Sequence, residues 1–295
     1  MKKIFILVTA IPLLTSAQNI GTGLSFLKIG VGARSIAMGE TFTSVPNDNA
    51  STFYNPATLR FARQNEIMLM HREWIAQTTT EYLGATVVGN DITYGLSALA
   101  TSVGDIEVRT IPGPADGTFA ARNFSLGGSA SWSIYDDLAV GVTGKFLYEK
   151  IFVDEASGYG IDVGALYKAS DDIFIGASVL NLGSMDKLRN ESSKLPTTLR
   201  AGASYVTAFT PDFSFLGAAE AVKTFGDDNT RIHFGAEITY DEQLAVRGGY
   251  QIGYEAKSFS AGVGFKYGLV KVDYAFVPFT GAFGSTHTFS LSFLL

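Results

Sequence analysis

The 295 residues contain no cysteine. That excludes disulfides, thiol nucleophiles and Cys-ligated metals, and it leaves the compartment open. Charge is scarce: 17 % of the residues are Asp, Glu, Lys or Arg, and the net charge is −6. No basic field therefore invites nucleic acid or anionic lipid. The histidines are His71, His233 and His287, and no two have the i,i+4 helical spacing of a metal site. A Gly-x-Ser-x-Gly elbow is missing, and Gly127-Gly128-Ser129-Ala130-Ser131 does not supply one. After the first residues, no apolar run reaches the ~18 residues of a helical membrane span. No catalytic residue, metal ligand or cofactor is expected.

What is abundant points elsewhere. Hydrophobic residues make up 46 %, with 32 Gly, 22 Phe and 13 Tyr. Little charge with much Gly and Tyr suits β-structure with small inward positions. Residues 1–17 carry the parts of a signal peptide in order: Lys2 and Lys3, an apolar run at 4–14, then Thr15-Ser16-Ala17 before Gln18. The other reading of that run is a buried N-terminal strand.

Residues 65–295 show period-two alternation. Over 138–148, Leu138, Val140, Val142, Phe146 and Tyr148 oppose Ala139, Gly141, Thr143, Lys145 and Leu147. The same parity separates Ile232, Phe234, Ile238 and Tyr240 from Arg231, His233 and Glu237. It also separates Val246 and Tyr250 from Arg247, and Val272 and Tyr274 from Lys271 and Asp273. Short acidic turns recur at Asn90-Asp91, Asp136-Asp137, Asp171-Asp172, Pro211-Asp212 and Asp241-Glu242. Longer loops are expected between them, at 104–118, 152–158, 184–194, 226–229 and 279–285. Short turn, long loop, short turn is the signature of a transmembrane antiparallel barrel, here of about 14 strands. Tyr135, Tyr167, Tyr205 and Tyr240 near the short turns suit an aromatic girdle. A secreted β-sandwich or propeller also alternates. Its second face, however, would carry more charge than the Gly, Ser and Ala found here. The terminal strand, ending Phe293-Leu294-Leu295, reads both as a barrel-assembly signal and as the strand that closes onto the first.

Residues 18–64 do not belong to the strand series. Glycines punctuate 21–39, and Pro46-Asn47-Asp48-Asn49 is a turn able to cap a short helix through Asn47 or Asp48. That helix must stop near Asn55, because Pro56 disfavours the helical conformation of its predecessor. Asn55-Pro56 then forms the cap and first residue of another short helix over 56–61. The segment is an ordinary extension or a plug inside the barrel.

Several stretches resemble one family. Phe-Leu-Lys-Ile-Gly-Val-Gly-Ala-Arg at 26–34 includes Gly30, Gly32, Ala33 and Arg34. With Ala37-Met38-Gly39 and Tyr54-Asn55-Pro56-Ala57 it is similar to the N-terminal signature of the PorV/PorQ outer-membrane proteins. Met70-His71-Arg72-Glu73-Trp74 and Asp116-Gly117-Thr118-Phe119 are similar to that family too. The resemblance runs over the whole chain after the leader and is densest at 26–74. Asn55-Pro56-Ala57 also resembles the hatch of the FadL-like long-chain fatty acid channels, which implies a 14-stranded barrel with an N-terminal hatch. The PorV/PorQ resemblance implies a component of type IX protein secretion, in contact with outer-membrane lipid and with secretion components or secreted cargo.

The resulting expectation is a non-enzymatic outer-membrane barrel linked to type IX secretion or surface protein handling. The alternative is a FadL-like channel for hydrophobic molecules such as long-chain fatty acids. A greasy conduit fits poorly with the charges expected inside: Lys145, Asp162, Arg200, Arg231, His233, Glu237, Arg247, Lys271 and Asp273, with Lys168, Glu255 and Lys266 on the same parity. His233 beside Glu237 can be written as a catalytic dyad, yet such a pair is more often a lumenal hydrogen bond. Asp227-Asp228-Asn229 hints at calcium, but the EF-hand pattern is missing and a solvated acidic loop is the plainer reading.

Overall fold

The computed structural model describes residues 23–295, apart from 75–76, 110, 112 and 282–283. The expected leader at 1–17 lies outside the described residues. Fourteen strands close into one antiparallel barrel. In chain order they are β1 (Glu66–Glu73), β2 (Thr78–Val87), β3 (Ile92–Val108), β4 (Gly117–Tyr135), β5 (Leu138–Ile151), β6 (Asp154–Lys168) and β7 (Ile173–Met185). After a small separate hairpin, β8 (Lys187–Leu188) with β9 (Glu191–Ser192), the wall resumes. It continues with β10 (Thr198–Ala208), β11 (Phe213–Thr224), β12 (Arg231–Tyr240), β13 (Leu244–Ile252), β14 (Phe259–Tyr267), β15 (Val270–Pro278) and β16 (Ser285–Leu294). The seam is β1 against β16, in register from Glu66↔Leu294 to Glu73↔His287. Closure leaves no unpaired edge, which is the condition for strands to sit in hydrocarbon.

Side chains divide as a strand period of two requires. On β12, Phe234, Ile238 and Tyr240 are exposed while His233 and Glu237 are buried. On β13, Leu244, Val246, Tyr250 and Ile252 are exposed while Arg247 and Gln251 are buried. In a soluble protein this would be inside out. In a membrane barrel the apolar outer band faces lipid. Tyr135, Tyr167, Tyr205 and Tyr240 all stand on the exposed face near the short-turn rim. There Phe213 packs on Tyr240 with ring centroids 4.9 Å apart. Among the described residues no helix is long and apolar enough to cross a membrane.

The connections differ from the sequence reading in four places. The loop expected at 152–158 is only a tight turn, because β6 begins at Asp154 and pairs Asp154↔Ile151 through Gly158↔Leu147. Its first residues are polar or small, so alternation was masked while backbone pairing was not. The loop expected at 104–118 shrinks, since β3 runs to Val108 and β4 starts at Gly117. Gly268-Leu269 is a further short turn. Residues 253–258 form a connection on the long-loop rim, so Glu255 lies there and not on a strand.

From Leu24 to Phe61 the chain runs inside this wall. It forms a 3-10 turn (Ser25–Lys28), helix α1 (Ala33–Ala37), helix α2 (Ser51–Tyr54) and a 3-10 segment (Pro56–Phe61). Helix α2 starts later than the turn residues suggested. Asp48 Oδ1 accepts from the amide of Ala50 at 2.9 Å, an Asx turn ahead of the helix, and Ala50 takes the cap position. Asn47 instead accepts from the amide of Arg63 at 3.2 Å. Asn55 does cap the next segment, accepting from Ala57 N at 3.0 Å. Val31, Ile36, Met38, Phe42, Val45 and Tyr54 are buried and form the apolar centre of the molecule. Full burial of each large apolar side chain contributes about 1.5–3 kcal/mol.

Candidate functional site

The filled lumen is where the chain concentrates its unusual chemistry. Arg34, at the start of α1, reaches the wall with a forked pair of bonds to Glu237, Nε to Oε2 at 2.8 Å and Nη2 to Oε1 at 2.6 Å. Its third contact is Asp48, at 3.0 Å. Glu237 also receives Arg247, and Arg247 reaches Asp273 at 2.7 Å. The charges alternate in sign along Asp48, Arg34, Glu237, Arg247 and Asp273, linking the N-terminal segment to β12, β13 and β15. Lys271 sits beside this row and pairs with Glu66 at 3.1 Å.

A second network holds the other side. Arg200 pairs with Glu220 and donates to the Glu40 carbonyl at 2.7 Å and to Thr43 Oγ1 at 3.1 Å. Glu220 accepts from the Thr43 amide at 3.0 Å. Glu40 itself pairs with Lys257 at 2.8 Å. Burial alone would push the Glu40 carboxyl upward, but Lys257 and the surrounding positive groups bring it down to about 2. Burial pushes the Tyr54 hydroxyl up, so it stays protonated and can donate to the Val31 carbonyl at 3.1 Å.

Lys145 pairs with Asp162 at 2.6 Å and donates to Asn181 Oδ1 at 2.9 Å. His233 faces Tyr254, whose hydroxyl lies 3.2 Å from Nε2, and its nearest carboxylate is Glu220 at 3.7 Å. The Glu237 dyad partner suggested by the sequence is taken by two arginines instead. Arg231 pairs with Asp227 at 2.8 Å, and Lys223 donates to the backbone carbonyls of Asp227 and Asp228, so two cations of the chain already lie against the acidic loop. Lys168 lies at the short-turn rim with Asp171. Among the described residues no three His, Asp or Glu side chains converge to hold a metal ion.

Backbone contacts fasten the remaining motif residues. Asn55 Nδ2 donates to the carbonyls of Thr43, at 2.8 Å, and Ala165, at 3.0 Å. Ser178 donates to the Tyr54 carbonyl and Ser131 to that of Ala57. Ala33 N donates to Ser290 Oγ at 2.9 Å, and Gly32 N approaches Met70 Sδ at 3.0 Å. Gly30 lies against Glu40 and Tyr54. Pro56 crosses the inward face of β5 at Gly141. The wall admits this chain where it lacks side chains. A Cβ on Gly164 would stand 1.9 Å from Asn55 Oδ1, and one on Gly235 would stand 2.4 Å from the Met38 carbonyl oxygen.

Above the segment, on the long-loop side, a cavity of about 500 Å³ remains. Its floor is Gly30, Glu40 and Tyr54, and its mouth carries Trp74, Tyr254 and Phe279. Sequence reading did not place several charges that matter here: Glu40, Glu66 and Glu220 went unnamed, Asp48 was named only as a helix cap and Arg72 only within a motif. Glu66 and Arg72 share the inward parity of β1 with Met68 and Met70, and that parity was the available signal.

The signature of the type IX secretion system membrane protein PorP/SprF family matches residues 49–293. The chain belongs to this family. Comparison with curated protein sequences finds no match. Among solved structures, the Ralstonia pickettii toluene transporter TbuX superposes with a TM-score of 0.66 at 15 % identity, covering 90 % of this chain and 98 % of that one. The Pseudomonas putida toluene transporter TodX gives 0.63 at 15 %, covering 89 % and 96 %. A Pseudomonas aeruginosa FadL homologue gives 0.53 at 12 %, covering 88 % and 97 %. At such identities the likeness is one of fold: an outer-membrane barrel with the FadL-like architecture. The match is to PorP/SprF, and it does not extend to the finer PorV/PorQ resemblance seen at 26–74.

Proposed function

We propose that this protein is a non-enzymatic component of type IX secretion, a stoppered barrel that serves as a fixed outer-membrane body for secretion components or exported cargo. Membership of PorP/SprF supports the secretion context. The observation that carries the stoppered reading is the pair of buried ion networks joining residues 34–48 to strands β10 to β15. In this reading Arg34, Met38, Gly39 and Asn55-Pro56-Ala57 hold the plug, and Arg200, Glu237 and Arg247 are its wall anchors. Lys145 with Asp162, and Lys271 with Glu66, brace the wall beside them. Export would follow removal of residues 1–17. The PorV/PorQ resemblance at 26–74 further suggests direct contact with cargo sorting domains.

Deleting the gene and measuring surface display of sorting-domain cargo tests this. Loss of display, restored by the intact gene, is expected, and normal display refutes the assignment. The second reading is a FadL-like conduit, supported by the fold shared with the toluene transporters and by the outer cavity. It predicts slower growth of the deletion strain on a hydrophobic carbon source such as a long-chain fatty acid, with cargo display unchanged.

A further inference from the structure

Most charges around the outer cavity are spoken for. Arg200 has Glu220, Arg231 has Asp227, and Lys257 has Glu40. Arg72 is different. It points inward near the end of β1 into the cavity and is only 2 % exposed. Among the described residues it forms no ion pair. Its one hydrogen bond is a long one, Nη1 to the Gly30 carbonyl at 3.4 Å, and its Nε has no partner. The indole Nε1 of Trp74, also on the cavity, is buried without an acceptor, and so is Nε of Arg231. Buried donors in proteins are nearly always paired, and an under-satisfied guanidinium is among the costliest to leave so. All three orphans are donors, and one belongs to a cation that no carboxylate of the described residues pairs with at ion-pair distance; Glu40, on the same cavity and paired with Lys257, acts on it from farther off.

Five aromatic residues share the lining with aliphatic and polar ones such as Leu27, Ile29, Asn181 and Glu255. The Trp74 and Phe279 rings lie 6.4 Å apart, and Phe53 and Tyr254 complete the walls. Arg72 itself stands 5.6 Å from the Trp74 ring. Gly30, Glu40 and Tyr54 of the buried N-terminal segment line its inner end. A cavity of about 500 Å³ is of the size that takes a small organic ligand.

We propose that this cavity binds a compact organic carboxylate with an aromatic or short apolar body, entering from the long-loop rim, its anionic group on Arg72 and the Trp74 N–H and its body between Trp74, Phe279 and Tyr254. Guanidinium and carboxylate match in fork geometry, and the aromatic walls suit a flat or apolar tail. The same chemistry is offered by a free small acid and by the C-terminal residue of a polypeptide. The site does not depend on the secretion assignment, because it can be tested on the isolated barrel.

The chain has two tryptophans, and Trp132 lies on the outer face of β4. Trp132→Phe therefore leaves Trp74 as the reporter. The full-length protein carrying this change, folded in detergent, is titrated with 3-phenylpropionate, with its neutral amide, and with the peptide Gly-Gly-Ser-Phe bearing a free or an amidated C-terminus. Saturable quenching by at least one free carboxylate is expected, at least ten-fold weaker for the matching amide. Preference for the free acid or for the peptide identifies the source. Arg72→Gln should abolish the difference between acid and amide. Should that variant not fold, the acid–amide comparison on the intact site decides alone. Equal binding of acid and amide, or no saturable response to either carboxylate, overturns the proposal.

Discussion

Replacing Glu237 with Met asks how much the plug owes to its ionic anchor. The Glu237 carboxylate lies between two guanidiniums, bonded twice to Arg34 and once to Arg247. In Glu237→Met, Arg34 keeps only Asp48 at 3.0 Å, and Arg247 keeps only Asp273 at 2.7 Å. Two buried cations then share a neutral thioether, and breaking buried pairs of this kind costs about 3–5 kcal/mol. Arg34→Met alone should cost a similar amount, because Asp48 loses its cation while Glu237 retains Arg247. If the contact is direct, the double variant should cost less than the sum of the two, by about 1–3 kcal/mol. The assay is the urea midpoint of heat-modifiable folded protein in detergent, run beside single-channel conductance in planar bilayers. Both single variants should lower the midpoint and raise conductance as the segment loosens. Additivity within about 0.5 kcal/mol, the scatter seen for independent sites, would show that the two residues are not coupled. Unchanged conductance in both singles would show that this pair does not hold the lumen closed.

Three other perturbations probe separate contacts. Gly164→Val places a side chain where Asn55 Oδ1 now sits 1.9 Å from the Cβ position, so Asn55 must move and lose its bonds to Ala165 and Thr43; conductance should rise, and a silent, fully stable variant would contradict the close docking. The Glu40 carboxyl, brought down from 4.5 to about 2, stabilises the fold fully above about pH 4.5, by about 3 kcal/mol, and loses that contribution as pH falls towards 2. The gap in unfolding midpoint between the native protein and Glu40→Gln should therefore shrink between pH 7 and pH 2, and a constant gap would refute the assignment. Removing residues 286–295 deletes β16, which pairs with both β15 and β1; two open edges result, and the truncated protein should fail to reach a heat-modifiable state in outer membranes.

The wall was legible because lipid leaves so few options. With hydrocarbon outside, outward positions must be apolar, and parity alone placed Lys145, Asp162, Arg200, His233, Glu237, Arg247, Lys271 and Asp273 on the opposite face. It was less legible where both faces are small or apolar. On β11 the inward row includes Leu216, Ala218 and Val222 as well as Glu220, so the alternation that would have singled out Glu220 is weak. Arg72 was hidden for another reason. It lies between His71 and Glu73, and three polar residues in a row read as a strand end near the membrane surface. His71 and Glu81 do pair on the exposed face, 2.6 Å apart, whereas Arg72 turns inward. Partners across the lumen were out of reach of any local pattern, since Arg34 and Glu237 are 203 positions apart.

The two ways of using this barrel place different demands on the same bonds. A conduit through the centre requires residues 34–57 to leave the wall. That breaks the Arg34–Glu237 fork, the Arg200 and Glu220 bonds to residues 40–43, and the Asn55 bonds to Thr43 and Ala165, and it exposes the apolar side chains between them. Each buried ionic anchor alone is worth about 3–5 kcal/mol to break, which approaches the whole stability of an ordinary domain once two or three go together. Thermal motion does not supply that, so a conduit would need a ligand or partner that replaces those bonds. A fixed body needs nothing further: the same bonds already tie residues 34–57 to the wall. The outer cavity of about 500 Å³ is a part of the described interior where a guest can arrive without displacing any of them.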